Sequence, residues 1–250
     1  MESQMIDKDK YLHHLNELMA FWVKHGPDTR HGGFHGALDR QGNPLPSLPK
    51  SLVQHARFLW AFSAAFRFDP QPAYRQMADR ALNFLRERFY DPARLGWYYL
   101  VSAEGLPLNK QKHLYGQSFA IYGLSEYFLA FGNEEALQLA LETFDVINKF
   151  GHDDRWQGYR ESFSEEWTPI PQHPDYGVSG DRKTMNTHIH LLESLTNLYR
   201  ASQEATVKNR LEELIDLCTH TITEAKRGCV YLFLSPTGRL SPPLYPTDTI

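Results

Sequence analysis

KSLVQHARFLWAFSAAF at 50–66, KHLYGQSFAIYGLSEYF at 112–128 and KTMNTHIHLLESLTNLY at 183–199 are the stretches that decide the fold. Each opens with a Lys and carries small and apolar residues almost all the way round a helix, as a buried helix requires. The three lysines stand 62 and 71 residues apart, a repeat near 65 residues. Tetratricopeptide, ankyrin and armadillo arrays have much shorter periods. After each stretch comes an amphipathic partner; the first, at 72–89, is polar through Arg75, Asp79, Arg80, Arg86 and Glu87. Helical periodicity predicts helices over 7–25, 50–67, 72–89, 112–130, 133–150, 183–202 and 205–226. Asp69-Pro70-Gln71-Pro72, Gly132-Asn133 and Ser202-Gln203 supply the stops and caps between them.

Between helix pairs lie aromatic segments with a turn: GGFHGALDRQGN from Gly32, LGWYYLVSAEGLP from Leu95, QGYRESFSEEW from Gln157 and CVYLFLSPTGRL from Cys229. Each reads as a short two-stranded hairpin. Hairpin, inner helix and outer helix, repeated, make an all-α fold of the (α/α)6 toroid type with small β-hairpins on one rim. An open helical repeat is the alternative. A closed ring of six pairs needs about 390 residues by this repeat logic. The 250 residues therefore read as a single partial toroid domain with about seven of twelve helices. One more period beyond Lys183 places a fourth inner helix near residue 248, so the chain is expected to be cut short.

Composition narrows the function. Hydrophobic residues are 42% and charged residues 22%, enough apolar content for a sizeable core. With 26 basic and 30 acidic residues and no long basic run, nucleic acid is excluded as a partner. The near-apolar run 58–66 is far short of the roughly 20 residues of a membrane span. The charged start, MESQMIDKDKYLHH, has no signal-peptide core, and two Cys, Cys218 and Cys229, suit a reducing compartment. A cytoplasmic protein is expected.

Superposing the three inner helices on their Lys aligns Val53, Tyr115 and Asn186 three residues on, and Arg57, Phe119 and His190 seven residues on. A spacing of four puts each pair on one helical face. In the third helix Asn186, His190, Glu193 and Asn197 form a polar line down an otherwise apolar helix. In the first, Gln54, Arg57 and Ala61 form the matching line. Such groups converge on the axis of a toroid, although Arg57 could instead pair with an acid and His190 with a backbone carbonyl. His188 and His190 lie roughly 200° apart round a helix and cannot share an ion, so no metal site is expected. His13, His14, His31, His35 and His152 read as surface residues. Glu126, Glu161, Glu165 and Glu166 offer the carboxylates a glycosidase needs, but the last three sit in a charged loop and read as solvated.

These three Lys-led segments resemble the N-acylglucosamine 2-epimerase superfamily, and within it most closely the cellobiose 2-epimerases. The resemblance implies an (α/α)6 barrel and inversion at C2 of a reducing-end aldose such as that of cellobiose, with no metal or redox cofactor. It implies that Arg57 stabilises an enediolate, that Tyr115 and Asn186 hold sugar hydroxyls, and that His190 bonds the ring oxygen or O1 and helps open the pyranose. A charged guanidinium suits a developing oxyanion, and imidazoles suit proton transfers near neutrality. The family's two proton-exchanging His lie further on, one in a segment of the type S-Y-G-H-D-x-E. RLSPPLYPTDTI at 239–250 stops where that segment would begin. The expectation is a sugar epimerase fold without turnover of its own, with exposed inner-helix flanks at Met185, Ile189 and Leu192 and a tendency to self-associate. A non-catalytic carbohydrate-binding or interaction protein, and a glycoside hydrolase, are the alternatives.

Overall fold

The computed structural model describes residues 8–45, 47–170, 183–224, 226 and 228–234. The first residue of the first predicted helix, the tip of the fourth hairpin and the fourth inner helix near 248 lie outside the described residues.

The inner helices are α2 (Leu52–Phe68), α4 (Leu114–Phe131) and α6 (Met185–Ser202). Side-chain caps start two of them. Ser51 accepts from the Gln54 amide and Thr184 from the Thr187 amide, satisfying donors that the first helical turn leaves open. Behind them stand α3 (Pro72–Phe84), α5 (Glu134–Gly151) and α7 (Ala205–Asp216), with α1 (Lys8–His25) at the N-terminal edge. Pro72 opens α3, where its missing N–H costs nothing. Asn133 caps α5 after Gly132, in the left-handed region at φ 65°, has ended α4. α3 and α7 each run on into a π-helical turn, at Leu85–Phe89 and Leu217–Ile222. The inner helices pack side by side in the order α2, α4, α6, and each outer helix backs its own inner partner. Leu59, Phe62, Ile121, Leu124, Leu191 and Leu195 lie in the core between the two layers.

The lysines do not open the helices. Lys50, Lys112 and Lys183 stand on two-residue strands just before them, β1 (Lys50–Ser51), β4 (Lys112–His113) and β6 (Lys183–Thr184). The reason is an ion pair buried in each repeat. Lys50 meets Asp28 at 2.8 Å, Lys112 meets Asp91 at 2.8 Å and Lys183 meets Asp153 at 3.0 Å, with every lysine side chain at most 1% exposed. An extended residue can reach down to such a partner, where a helical one would point its side chain back along the helix.

Each of these Asp residues heads the same turn. Its amide donates to the carbonyl of the Gly five residues on, Gly33, Gly96 or Gly158, at 2.9–3.1 Å. These glycines have φ of 61°, 73° and 70°, where a side chain is strained. A Cβ would also strike His55 Nε2 at 2.7 Å from Gly33 and His188 Nε2 at 2.6 Å from Gly158. The next residue, Phe34, Trp97 or Tyr159, is fully buried. Its amide donates to the residue five after the repeat's Lys: His55 Nε2 at 3.1 Å, Gln117 Oε1 at 3.0 Å or His188 Nε2 at 3.0 Å.

The hairpins differ from expectation in their pairing. β2 (Leu100–Val101) and β3 (Pro107–Asn109) do form a hairpin, but β2 also pairs antiparallel with β1 of the preceding repeat. β5 (Ser162–Phe163) pairs with β4. β8 (Cys229–Val230) pairs with β7 (Thr223–Glu224), and β9 (Phe233–Leu234) pairs with β6, so β8 and β9 do not pair with each other. The first aromatic segment holds only the isolated bridges Pro27–Phe34 and Leu38–Pro44. Short strands have few ladder bonds of their own, and pairing onto the next repeat supplies a partner for an edge that would otherwise be open. The rim strands thereby stitch successive repeats together.

Of the apolar residues expected on the open flank, Ile189 is exposed. Met185 instead packs with Leu217, Ile222 and Leu234, and Leu192 against the main core.

Candidate active site on the concave face

Positions three, seven, ten and fourteen residues after each Lys share one face of the inner helices, because these spacings follow the helical repeat. Three neighbouring helices turn that face into a grid, whose second tier is Arg57, Phe119 and His190. Arg57, exposed on α2, lays its guanidinium over the ring of Phe119 on α4, 4.5 Å from the ring centroid. His190 on α6 tilts against the same ring at 4.8 Å. Tyr115, one turn before Phe119, meets Phe119 edge-on at 5.0 Å and His190 edge-on at 5.2 Å. Arg57, Tyr115 and His190 thus gather around one buried aromatic ring. Asn186 is exposed one turn before His190 on the same face, outside this ring cluster.

His190 Nδ1 lies 2.6 Å from Glu193 Oε2. A carboxylate only accepts, so Nδ1 carries the proton in this contact. Nε2 is left as the nitrogen that can exchange a proton with a ligand. Arg57 contributes a permanent charge with a planar fork of donors.

The third tier is Trp60, Tyr122 and Glu193. The Trp60 and Tyr122 rings stack at 5.0 Å and 17°. Burial, with Glu193 and Glu126 nearby, pushes the Tyr122 hydroxyl upward in pKa. At the fourth tier Glu126 accepts from Arg67 Nη1 at 2.6 Å and from Asn197 Nδ2 at 2.9 Å. That bond set ties α2, α4 and α6 together. Glu126 and Asn197, candidates by sequence, are thereby committed to structure.

Other expectations need correction. Glu161 is not solvated: it is buried, and its carboxyl accepts from the hydroxyls of Thr184 (2.9 Å) and Thr187 at the start of α6. Burial outweighs those bonds and pushes its pKa up to about 7. His152 is not a surface residue either. Its side chain is 3% exposed, between Asp154 at 2.9 Å and Glu213 at 2.8 Å. Glu165 and Glu166 do lie in a charged cluster with Arg94. His188 is fully buried and turned to the rim, while His190 faces the concavity, as a separation of two residues on a helix dictates. Among the described residues no three His, Cys, Asp or Glu side chains could hold a metal ion, and no helix is long and apolar enough to cross a membrane. The sequence reading passed over Phe119 as a contact partner and His55 altogether. Both were in reach: Phe119 occupies the register of Arg57 and His190, and His55 that of Gln117 and His188.

A family model described as N-acylglucosamine 2-epimerase matches residues 32–234. The chain belongs to the N-acylglucosamine 2-epimerase family. Among curated members of this epimerase family, it is 37% identical over 220 residues to the cellobiose 2-epimerase of Bacteroides fragilis, covering 86% of this chain and 55% of that protein. It is 35% identical to the cellobiose 2-epimerase of Dictyoglomus turgidum, covering 93% of this chain and 59% of that protein. The solved cellobiose 2-epimerase of Spirochaeta thermophila superposes with a TM-score of 0.83 at 36% identity, over 95% of this chain and 60% of that one. The chain therefore spans somewhat over half the length of these epimerase relatives, and its two-layer helical arc is part of their (α/α)6 barrel.

Proposed function

We propose that this chain supplies one wall of the active site of a sugar 2-epimerase that inverts C2 of a reducing-end aldose, of the cellobiose type, through an enediolate. The observation that carries this reading is the gathering of Arg57, Tyr115 and His190 around Phe119 on the concave face. The proton at C2 of an open-chain aldose is acidic because the neighbouring carbonyl can take the charge. Removing it requires a base, and stabilising the product requires donors fixed at O1 and O2. Arg57 is suited to the enediolate oxygens. Tyr115 and Asn186 are suited to sugar hydroxyls. His190, with Nδ1 held by Glu193, offers Nε2 to the ring oxygen or O1 for ring opening.

Inversion also requires proton removal on one face of C2 and delivery on the other, whereas the role proposed for His190 is ring opening. Residues 1–250 by themselves are therefore expected to bind sugar weakly and to leave C2 unexchanged. A cytoplasmic setting and self-association through the open flank at Ile189 belong to the same proposal. The test is incubation with cellobiose in D₂O, read by NMR. Deuterium at C2 above a His190→Ala control would overturn the expectation of inactivity. In any longer form that turns over, Arg57→Ala should cost about 10²–10³ in rate, the usual loss for a missing oxyanion donor. Unchanged turnover would remove Arg57 from the mechanism.

A further inference from the structure

We infer that Phe119 is the positioning residue of this site: its ring sets where the Arg57 guanidinium and the His190 imidazole stand relative to each other. The inference rests on the epimerase reading above for what those two groups do, but its geometry is independent of that reading.

Arg57 is exposed on α2 and has three rotatable bonds beyond Cβ, so by itself its charge would sample a wide volume. What it meets is the face of Phe119, with the guanidinium carbon 4.5 Å from the ring centroid. That is the distance at which an aromatic quadrupole attracts a cation. His190 approaches the same ring from α6, tilted by 44° at 4.8 Å, and Tyr115 closes a third side edge-on. Phe119 itself is only 4% exposed and sits on the central inner helix, between α2 and α6. A buried ring on the middle helix therefore meets an exposed cation from one neighbour and an imidazole from the other.

The equivalent positions explain why an aromatic is suited here. Arg57, Phe119 and His190 are the same register position in three successive repeats. Of the three, Arg57 carries a permanent charge. A second cation in place of Phe119 would repel it, an anion would neutralise it, and an aliphatic side chain would fill the space with no preference for charge. An aromatic face attracts the guanidinium and remains neutral. A ring contact also spends none of the guanidinium N–H donors on a hydrogen-bond acceptor, which leaves them for a ligand.

The test uses the full 250-residue chain and does not require turnover. Arg57 Nε–H and the His190 ring protons should be shifted upfield by the Phe119 ring current, assigned through Arg57→Lys and His190→Gln. In Phe119→Leu, which keeps an apolar residue, the Arg57 shift should vanish, the His190 shift should fall to what the Tyr115 ring still contributes, and the Arg57 Nε–H heteronuclear NOE should fall. Phe119→Tyr should restore them. Cellobiose affinity in Phe119→Leu should drop about two- to fivefold, the fold-change equivalent of one exposed cation–π contact. Circular dichroism shows whether each variant folds. Should Phe119→Leu unfold, the folded Phe119→Tyr and wild-type shifts still decide, because a normal Arg57 Nε–H shift in both overturns the inference. Unaltered Arg57 motion in a folded Phe119→Leu overturns it too. If instead Arg57→Ala and His190→Ala leave cellobiose affinity unchanged while the ring-current shifts are present, the epimerase reading fails and the positioning role stands.

Discussion

Five residues after each buried Lys stand His55, Gln117 and His188; seven residues after it stand Arg57, Phe119 and His190. The two sets are about 200° apart round their helices, so one faces the rim hairpin and the other the concavity. On the rim side all three residues do one job, accepting the amide of a buried aromatic at 3.0–3.1 Å. On the concave side the three do different jobs around one ring. The comparison teaches that in a repeat protein a role held constant from repeat to repeat is architecture, and a register position whose chemistry diverges is where a site is to be sought. The lysines and their Asp partners fall on the architectural side, although three buried ion pairs would invite a catalytic reading by themselves.

The sharpest way to break that comparison is to remove one architectural charge. Lys112 and Asp91 are at most 1% exposed and 2.8 Å apart. Burial tends to raise the Asp91 pKa, yet the Lys112 bond and turn amides hold it low. Asp91→Ala leaves an uncompensated buried ammonium and should cost about 3–5 kcal/mol in urea unfolding. A loss below 1 kcal/mol would mean that the pair is ornamental and the distinction ill-founded.

The pH dependence sharpens it further. Burial pushes His55 down to about 3 and His188 down to about 4, from an ordinary 6.5. Both are neutral in the fold, so the unfolded chain binds protons first as pH falls. Each then removes about 1.4 kcal/mol of stability per pH unit between pH 6.5 and its folded value. Glu161 acts in the opposite sense. Its carboxyl is raised to about 7 by burial, so the fold takes up a proton there before the unfolded chain does, and stability is gained as pH falls from 7 to the ordinary 4.5. Two against one leaves a net loss of about 1.4 kcal/mol per unit between pH 6.5 and 4.5. Stability measured by urea at pH 6.5, 5.5 and 4.5 should therefore decline. His188→Gln should flatten that decline, and Glu161→Gln should steepen it.

His188→Gln also tests the equivalence of the repeats directly. Gln117 already fills this position in the middle repeat, accepting from Trp97 N and donating to Trp97 O at 2.8 Å. The substitution should cost less than about 1 kcal/mol at pH 7. His188→Leu instead orphans the buried Tyr159 amide and should cost about 1–3 kcal/mol. Equal losses in the two variants would show that packing rather than the hydrogen bond is what the position supplies.

The reach of the sequence follows the same division. Helix positions were legible because the 3.6-residue pattern and signals such as Pro72 and Gly132-Asn133 are local, although that pattern places the caps Ser51 and Thr184 in helix interior. The Lys period was legible because it is exact in type, yet its meaning was not. Nothing local tells that Lys50 reaches Asp28 across 22 residues, or that β6 pairs with β9, whose residues lie some fifty further along. Register aligned Val53, Tyr115 and Asn186 with Arg57, Phe119 and His190, because four residues is about one helical turn, and the family resemblance singled out Arg57, Tyr115, Asn186 and His190 among them. It could not say that Asn197 would be drawn to Glu126, or that Glu161 and His152 would be buried. Those depend on which helix stands opposite.

The smallest expected effect is the one that most clearly separates the two faces. Arg57 is exposed, and the contact it makes is to the Phe119 ring at 4.5 Å. No buried partner is orphaned when it is truncated, so the stability at stake is one exposed cation–π contact and a short stretch of aliphatic stem, about 0.5–1 kcal/mol. Arg57→Ala should therefore unfold in urea within about 1 kcal/mol of the parent chain, while the same truncation abolishes the charge on which the proposed chemistry depends. A residue that can be removed almost without structural cost, standing at a register position where the neighbouring repeats hold a Phe and a His, is difficult to explain as part of the scaffold. If Arg57→Ala proved as destabilising as Asp91→Ala, that argument would collapse: Arg57 would be holding the arc together, and the concave cluster would have to be read as core.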